Sequence, residues 1–237
     1  MRYGIPDFKM EKHHIDFRVR QMEAEGVTFH YNQEIGTTRP LSELQEAHDA
    51  VLLAGGSEHP RPVGCAGTEL GGVHYAMPFL IQANRRMGGE DVSDEQQLVA
   101  AGKHVVVIGG GDTASDCVGT SFRQGAIAVT QLDIRPEPPL KEDKLTTWPY
   151  FPIKMRTSSS QAEGAIREFG AGTMEIVGNA RGHVIGVKVA RVDKARRPIP
   201  EWGGKEASCR QEEEVYVDEE GDRNWVFRRQ VKFHLVW

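Results

Sequence analysis

Three small residues, Gly109, Gly111 and Ala114, stand at the spacing that a dinucleotide-binding turn needs. Gly109 permits a tight turn from a strand into a helix, and Gly111, which has no Cβ, lets the backbone approach a pyrophosphate. Ala114 lets the helix pack closely against the strand. The free amides and the positive dipole end of that helix would then meet the anion. The spacing predicts a nucleotide site; a glycine turn that serves only packing is the alternative.

The sequence on both sides of this turn predicts a β-α-β unit. The aliphatic run Val105–Ile108 predicts a strand directly before the turn, and the helix after the turn ends at Gly125. A second apolar run over residues 126–129 predicts the strand that leads to Asp133. This context makes the glycine spacing a specific signal. One face of the helix carries Ala114, Cys117, Val118 and Ser121.

Two charged residues after the second strand favour different cofactors. The Asp133 carboxylate lies where such a residue accepts a hydrogen bond from the ribose 2′-hydroxyl of NAD. The guanidinium of Arg135 can bind the 2′-phosphate of NADP, and an exposed loop role for Arg135 is an equal alternative. Arg123, near the end of the helix, is a further cation. The choice between NADP and NAD stays open at this level.

Other catalytic patterns are absent or badly placed. Tyr150 and Lys154 have the Tyr-x-x-x-Lys spacing of short-chain dehydrogenases, but Pro152 between them would break the helix which that pair requires. There is no His-Glu-x-x-His, no Gly-x-x-x-x-Gly-Lys-Ser/Thr loop and no Cys-x-x-Cys. The three cysteines are too few and too far apart for a disulfide framework or an iron–sulfur site. We therefore predict no metal site, and the catalytic residues stay unassigned.

Composition limits the class of protein further. The chain has 237 residues, a formal net charge of −5, 39% hydrophobic and 27% charged residues. That length allows one large domain or two small ones, and the hydrophobic content suffices for a core. The acidic balance argues against nucleic acid, and no apolar run has the length of a membrane helix. We expect a soluble cytoplasmic protein.

The rest of the chain is predicted to contain helices, strands and loops. Proline-rich residues 136–152 predict an ordered loop, and residues 201–237 are acidic with poor core potential. Hydrophobic periodicity predicts helices over 10–25 and 41–47, strands over 27–31 and 50–54, a short helix with a capping box at Ser160, and a hairpin of residues 174–177 and 184–189.

Several separated motifs resemble the small (beta) subunit of NADPH-dependent glutamate synthase, over about residues 1–192. That resemblance implies an α/β, Rossmann-like three-layer FAD/NAD(P)-binding fold, with the NADPH domain inserted into the FAD domain. The domains expected here are a partial FAD-binding domain over 1–62, a nearly complete NAD(P)H-binding domain over 63–200 and a divergent acidic tail over 201–237. The motifs that carry the resemblance are residues 2–9, 21–27, 49–54, 105–113 and 147–150.

The family resemblance also implies an activity, cofactors and a partner. In that family a hydride passes from NADPH to FAD, and electrons then reach a large subunit that makes L-glutamate in ammonia assimilation. It implies that Gly110, Gly111, Asp112 and Thr113 form the NADPH pyrophosphate turn and that Arg135 lies near the 2′-phosphate. It also implies FAD contacts for Lys9, for Ile35 beside the adenine, and for Ala54 and Gly55 in a turn that closes the sheet.

The sequence departs from the family pattern in four places. It has no cysteine-rich iron–sulfur segment and no first Gly-x-Gly-x-x-Gly for FAD. Residues 201–237 show no closing aliphatic strand, and their Gly221-Asp222 pair follows an acidic run instead of such a strand, so we expect no family Gly-Asp motif there. We therefore expect an internal fragment in which FAD binding is in question and NADH remains an alternative to NADPH. A nucleotide-binding or subunit-interaction module without turnover is the second hypothesis. A partner chain that supplies the missing FAD half is the third.

Overall fold

The computed structural model describes residues 1–57, 59–93, 97–193 and 195–199, and the backbone of residues 205–208, 216–217, 223–224 and 233–236. The chain divides into two units, one made of Met1–Met10 with Val63–Trp237 and the other of Glu11–Pro62. The cofactor assignment of the domains over 1–62, 63–200 and 201–237 remains a prediction. Within the described residues, no helix combines the length and the apolar character that crossing a membrane requires.

The larger unit contains both of the main sheets. Its helices are α3 (Ala76–Met87), α4 (Asp112–Arg123), α5 (Lys144–Thr147) and α6 (Ser159–Ala162), and the smaller unit holds α1 (Lys12–Ala24) and α2 (Leu41–Ala47). The strands are β1 (Val73–His74), β2 (His104–Ile108), β3 (Ala128–Asp133), β4 (Ile166–Phe169), β5 (Ala171–Gly178), β6 (Val184–Arg191), β7 (Lys205–Ser208), β8 (Tyr216–Val217), β9 (Arg223–Asn224) and β10 (Phe233–Val236).

A parallel five-stranded sheet, in the order β1-β10-β2-β3-β4, forms the centre of this unit. Strands β2 and β3 pair in register from His104 with Ala128 to Ile108 with Leu132, and α4 connects them. The β-α-β prediction and the α/β fold class are thus confirmed. The face of α4 predicted from its periodicity is also confirmed, because Ala114, Cys117, Val118 and Ser121 are all buried.

The core lies between this sheet and the helices α3 and α4. Phe79 and Leu80 of α3 belong to the same buried cluster as Val105 and Val107 of β2, and each of these four side chains is at most 1% exposed. Burying an aliphatic or aromatic side chain of this size contributes roughly 1.5–3 kcal/mol. The core therefore fixes the end of β2 and the start of α4, the two elements that flank the glycine turn.

The strand β10 corrects the expectation that residues 201–237 contain no strand that closes the sheet. Its backbone pairs in parallel with β2 on one side, Phe233 opposite His104, and with β1 on the other. The run Phe-His-Leu-Val is short and follows a charged stretch. Its β structure depends on neighbours that lie far away in the chain, which local patterning does not reveal.

A second, antiparallel sheet consists of β5, β6 and β7. The predicted hairpin is confirmed, because β5 pairs with β6 from Ala171 opposite Arg191 to Gly178 opposite Val184. The capping box at the start of α6 is present, but it begins at Ser158 rather than at Ser160. Ser160 is instead fully buried inside the short helix.

The unit Glu11–Pro62 forms its two helices but not its two predicted strands. Residues 27–31 and 50–54 are irregular, and Leu52 and Leu53 are 88% and 75% exposed. A strand needs a neighbour that accepts and donates its backbone hydrogen bonds. Among the described residues of this unit, no such strand pairs with them. The strand prediction for both segments is therefore wrong for this structure.

Candidate nucleotide-binding site

The chain turns sharply between β2 and α4, at the three consecutive glycines. Gly109 has a φ of 139°, a backbone conformation that residues with side chains rarely adopt, and its N–H donates to Leu132 O at 2.8 Å. A Cβ at Gly109 would lie 3.6 Å from the Cβ of Ala114. The turn thus needs glycine at its first position, and Ala114 approaches it as closely as the sequence pattern implied.

Gly110 and Gly111 differ in what surrounds them. A Cβ at Gly110 would collide with the carboxylate of Asp133 and lie 2.7 Å from Nη2 of Arg135. A Cβ at Gly111 would meet no atom of the chain within 4 Å. Packing within the described chain therefore explains the glycine at 110 but not the one at 111.

Gly111 is the N-cap residue of α4 and supplies no side-chain hydrogen bond to the first turn of the helix. The next two residues, Asp112 and Thr113, are exposed there, whereas Ala114 is buried. The amides of a helix's first turn carry partial positive charge and attract anions. This end of α4 can accept a phosphate group.

The structure brings Asp133 and Arg135 together instead of presenting them as alternatives. Asp133, the last residue of β3, is 7% exposed, and its Oδ1 accepts hydrogen bonds from N and Nε of Arg135 at 2.9 and 3.0 Å. Its Oδ2 accepts from Nη2 of Arg135 at 2.8 Å. The same Nη2 donates to the carbonyl oxygen of Gly110 at 2.8 Å. The hydrogen bond with Asp133 raises the pKa of the Arg135 guanidinium.

Sequence reasoning missed a buried polar network behind the turn. Gln131, 2% exposed in β3, donates from Nε2 to the carbonyl oxygen of Gly109 at 2.9 Å. Its Oε1 accepts from Nε2 of Gln161 at 2.8 Å. The N-cap of α6, Ser158, lies with its Oγ 2.6 Å from Oγ of Ser115 in α4. The available signal was a glutamine inside an otherwise aliphatic strand, because a buried amide must find partners.

Lys9 lines a cavity together with residues of the first turn of α4. Its Nζ donates to Oγ of Ser159 at 2.8 Å, and the open cavity that it borders has a volume of about 500 Å³. The other lining residues come from the first segment of the chain, α3, α4 and the start of α6: Gly4, Ile5, Met77, Asp112, Thr113, Ser115, Asp116 and Ser158.

The remaining predicted FAD contacts lie in the other unit. Ile35 is 42% exposed and forms an isolated bridge with Arg39, and Ala54 and Gly55 are exposed in irregular chain. Within that unit, the structure places no sheet next to these three residues. Their assignment to FAD therefore stays a prediction.

Two further observations concern groups outside the turn. Arg123 pairs with Glu163 at 2.7 Å and lies 3.6 Å above the centroid of the Phe8 ring, so it serves packing around α4. Across the residues described, no group of three or more histidine, cysteine or acidic side chains is arranged to hold a metal ion.

Comparison with known proteins decides the family. The chain is 48% identical over 181 residues to the NADPH glutamate synthase small chain of Mycobacterium tuberculosis, a match that covers 75% of this chain. It is 34% identical over 202 residues to the corresponding small chain of Bacillus subtilis. The chain belongs to the glutamate synthase small-chain family. No protein-family model matches it.

This glutamate synthase small-chain homologue spans only part of its relatives. It covers 37% of the M. tuberculosis small chain and 41% of the B. subtilis one. A longer relative, the NADH glutamate synthase of Saccharomyces cerevisiae, is 35% identical over 208 residues, which are 10% of its length.

The fold also matches that of solved oxidoreductases. A structure of M. tuberculosis FprA in complex with NADPH superposes with a TM-score of 0.55 at 17% sequence identity. The match covers 99% of this small-chain homologue and 60% of FprA. At this identity the likeness shows the fold alone, and that fold is the Rossmann-like α/β type predicted from the sequence.

Proposed function

We propose that this chain is the electron-entry part of a glutamate synthase small chain and binds NADPH at the turn from Gly109 to Ala114. The difference between Gly110 and Gly111 carries the proposal. A side chain at 110 is excluded by the protein itself, whereas at 111 only a ligand would require its absence. The uncapped N-terminus of α4 next to Gly111 supplies the amides and the dipole that a pyrophosphate needs.

Arg135 favours NADPH over NADH in this proposal. The Asp133 carboxylate accepts three hydrogen bonds from Arg135, so it is a weaker acceptor for a ribose hydroxyl. The Arg135 side chain remains 58% exposed, which leaves its guanidinium accessible to a 2′-phosphate. The names of the bacterial relatives, which specify NADPH, support the same preference, while the yeast relative's name specifies NADH.

Bound NADPH would supply a hydride for the reduction of a flavin. The chain's own residues would bind and orient the dinucleotide: Gly110 and Gly111 through their backbone, Asp112 and Thr113 at the first turn of α4, and Arg135 at the ribose end. Lys9 would border the cavity beside that turn. FAD, the glutamate-forming large chain as the acceptor of the electrons, and a cytoplasmic location belong to the same proposal.

A nucleotide-binding or subunit-interaction module without turnover is the second candidate. The irregular, exposed segment around Leu52 and Leu53 favours it, because this part of the chain would have to hold the flavin. A chain that holds no flavin has no hydride acceptor in near-attack geometry.

Calorimetric titration with NADPH and NADH tests the binding site. We expect NADPH to bind more tightly than NADH, and we expect Arg135→Gln to remove most of that difference. If neither NADPH nor NADH binds at millimolar concentration, the proposed nucleotide site is refuted. A diaphorase assay with added FAD separates the two candidates, because activity above that of free FAD requires turnover on the protein.

A further inference from the structure

Two side chains, one from β3 and one from just after it, hold the two peptide groups that connect the three glycines. Nε2 of Gln131 donates to the carbonyl oxygen of Gly109 at 2.9 Å. Nη2 of Arg135 donates to the carbonyl oxygen of Gly110 at 2.8 Å. Each peptide group of the turn thus has its oxygen fixed by a different residue.

These bonds also determine where the amide hydrogens point. In a trans peptide the C=O and the next residue's N–H point in opposite directions. With its oxygen held by Gln131, the first peptide directs the N–H of Gly110 away from the side chain of Gln131. With its oxygen held by Arg135, the second peptide directs the N–H of Gly111 away from the guanidinium. Both amides therefore face away from the groups that hold their peptides.

Consecutive glycines need such restraint. Without a Cβ, glycine adopts positive and negative φ with similar ease, so a Gly-Gly-Gly run can rotate its peptide groups at low cost. A rotated peptide would present a carbonyl oxygen, not an amide hydrogen, to an anion. A binding site gains affinity when its donors are oriented before the ligand arrives.

The hydrogen bonds leave only one orientation for the Gln131 amide. The backbone N–H of Ser158 can only donate, and it donates to Oε1 of Gln161 at 2.8 Å. Nε2 of Gln161 therefore faces Oε1 of Gln131, at 2.8 Å. Nε2 of Gln131 is left to face Gly109. The capping box of α6 thus fixes which group donates in each hydrogen bond from Ser158 through Gln161 and Gln131 to the carbonyl oxygen of Gly109.

We propose that Gln131 is a positioning residue for the pyrophosphate: with Gln161 behind it, it holds the Gly109–Gly110 peptide with its N–H available to the ligand, and Arg135 does the same for the next peptide. This inference rests on the proposed NADPH site. Gln131 itself is 2% exposed and acts only through the backbone.

Gln131→Met tests this role, because methionine keeps the length of the side chain and removes its donor. We expect the Kd for NADP⁺ to rise about tenfold, the loss of roughly one oriented hydrogen bond. The Kd for 2′-AMP, which carries the 2′-phosphate but no pyrophosphate, should stay within about twofold. A crystal structure of the variant should show the Gly109–Gly110 peptide rotated.

Gln82→Met is the matched control. Gln82 is also a buried glutamine, and its Nε2 donates to backbone oxygens of Phe79 and Leu98 at 3.1 and 2.7 Å, away from the turn. It should lower stability much as Gln131→Met does and leave both Kd values unchanged. If Gln131→Met does not fold, Gln161→Met serves instead. It keeps Gln131 but removes the hydrogen bond that orients the Gln131 amide, so we expect the Kd for NADP⁺ to rise by less than tenfold.

Three results would overturn the inference: equal loss of NADP⁺ and 2′-AMP binding in Gln131→Met, an equal loss of NADP⁺ binding in Gln82→Met, or an unrotated peptide in the variant's crystal structure. If the unaltered protein binds no NADP⁺, the proposed function fails. The orientation of the peptide in Gln131→Met then still decides the positioning role on its own.

Discussion

Replacing Gly111 with alanine should weaken the binding of NADPH without lowering the stability of the fold. The residue has φ −90° and ψ −175°, an extended conformation that alanine adopts freely, and the added Cβ would have no neighbour within 4 Å. Removing a glycine from the unfolded chain stabilises by about 0.4–1 kcal/mol where the native conformation suits alanine. We expect the free energy of unfolding to stay level or rise by up to about 1 kcal/mol, or roughly 2–4 °C in Tm.

The same methyl group should weaken nucleotide binding. It would stand where the backbone must approach the pyrophosphate to within hydrogen-bond distance. A hydrogen bond to a charged group contributes about 1.5–3 kcal/mol, so losing one raises the Kd for NADPH by roughly ten- to a hundredfold. Calorimetric titration with NADPH and urea unfolding, performed on the same preparation, measure the two effects separately.

Gly88→Ala and Gly110→Ala are the comparison variants. Gly88 is the C-cap of α3, with φ −76°, and its added Cβ would come no closer than 3.4 Å to another atom, so neither stability nor Kd should change much. Gly110→Ala should destabilise, because its Cβ collides with Asp133. A wild-type Kd for Gly111→Ala would refute the contact between turn and pyrophosphate. A marked loss of stability in Gly111→Ala would refute the open space around that residue.

Three further outcomes follow from the core. Gly119→Ala adds a Cβ that would lie 2.5 Å from Oγ of Ser160 and 2.7 Å from Cζ of Phe8. It should cost about 1–3 kcal/mol in urea unfolding despite the helix preference of alanine. The cost should shrink in a background with Phe8→Ala and Ser160→Ala, and an equal cost there contradicts these two contacts. Burial lowers the pKa of His104, so the unfolded chain binds more protons than the folded chain below about pH 6.5. The free energy of unfolding should therefore fall as the pH drops from there, by at most about 1.4 kcal/mol per pH unit. His104→Gln should reduce this slope, and an unchanged slope contradicts the contribution of His104. Burial also raises the pKa of the Cys117 thiol far above its usual range. In a background with Cys65→Ser and Cys209→Ser, a thiol reagent should label Cys117 only when urea unfolds the chain. Rapid labelling of the native double variant would count against the burial of Cys117.

The part of the fold that local sequence determines was predictable. The run Val105–Ile108, the glycine spacing and the periodicity of α4 lie next to one another, so each supports the others. The relation between Asp133 and Arg135 was also within reach, because side chains two residues apart near the end of a strand tend to share a face. What spacing does not reveal is that the two charges neutralise each other.

The features that depend on distant partners were not predictable. Residues 27–31 and 50–54 have the composition of strands, but composition does not supply a neighbouring strand. The last strand, Phe233–Val236, is the opposite case. Its sequence has only a weak strand pattern, but β1 and β2 on either side supply the hydrogen-bond partners that make it a strand. The role of Gln131 depends on Gly109 and Gln161, which lie on either side of it in sequence and are brought together only by the fold.

The position of β10 between β1 and β2 has a consequence for synthesis on the ribosome. While β2, α4 and β3 are emerging, β1 has no neighbour to pair with on the side towards β2, because the strand that joins them has not been translated. Until residues 233–236 leave the exit tunnel, one edge of β2 stays open to other chains. During that interval the unpaired edge of β2 can pair with a strand of another chain, so the incomplete sheet is prone to aggregate.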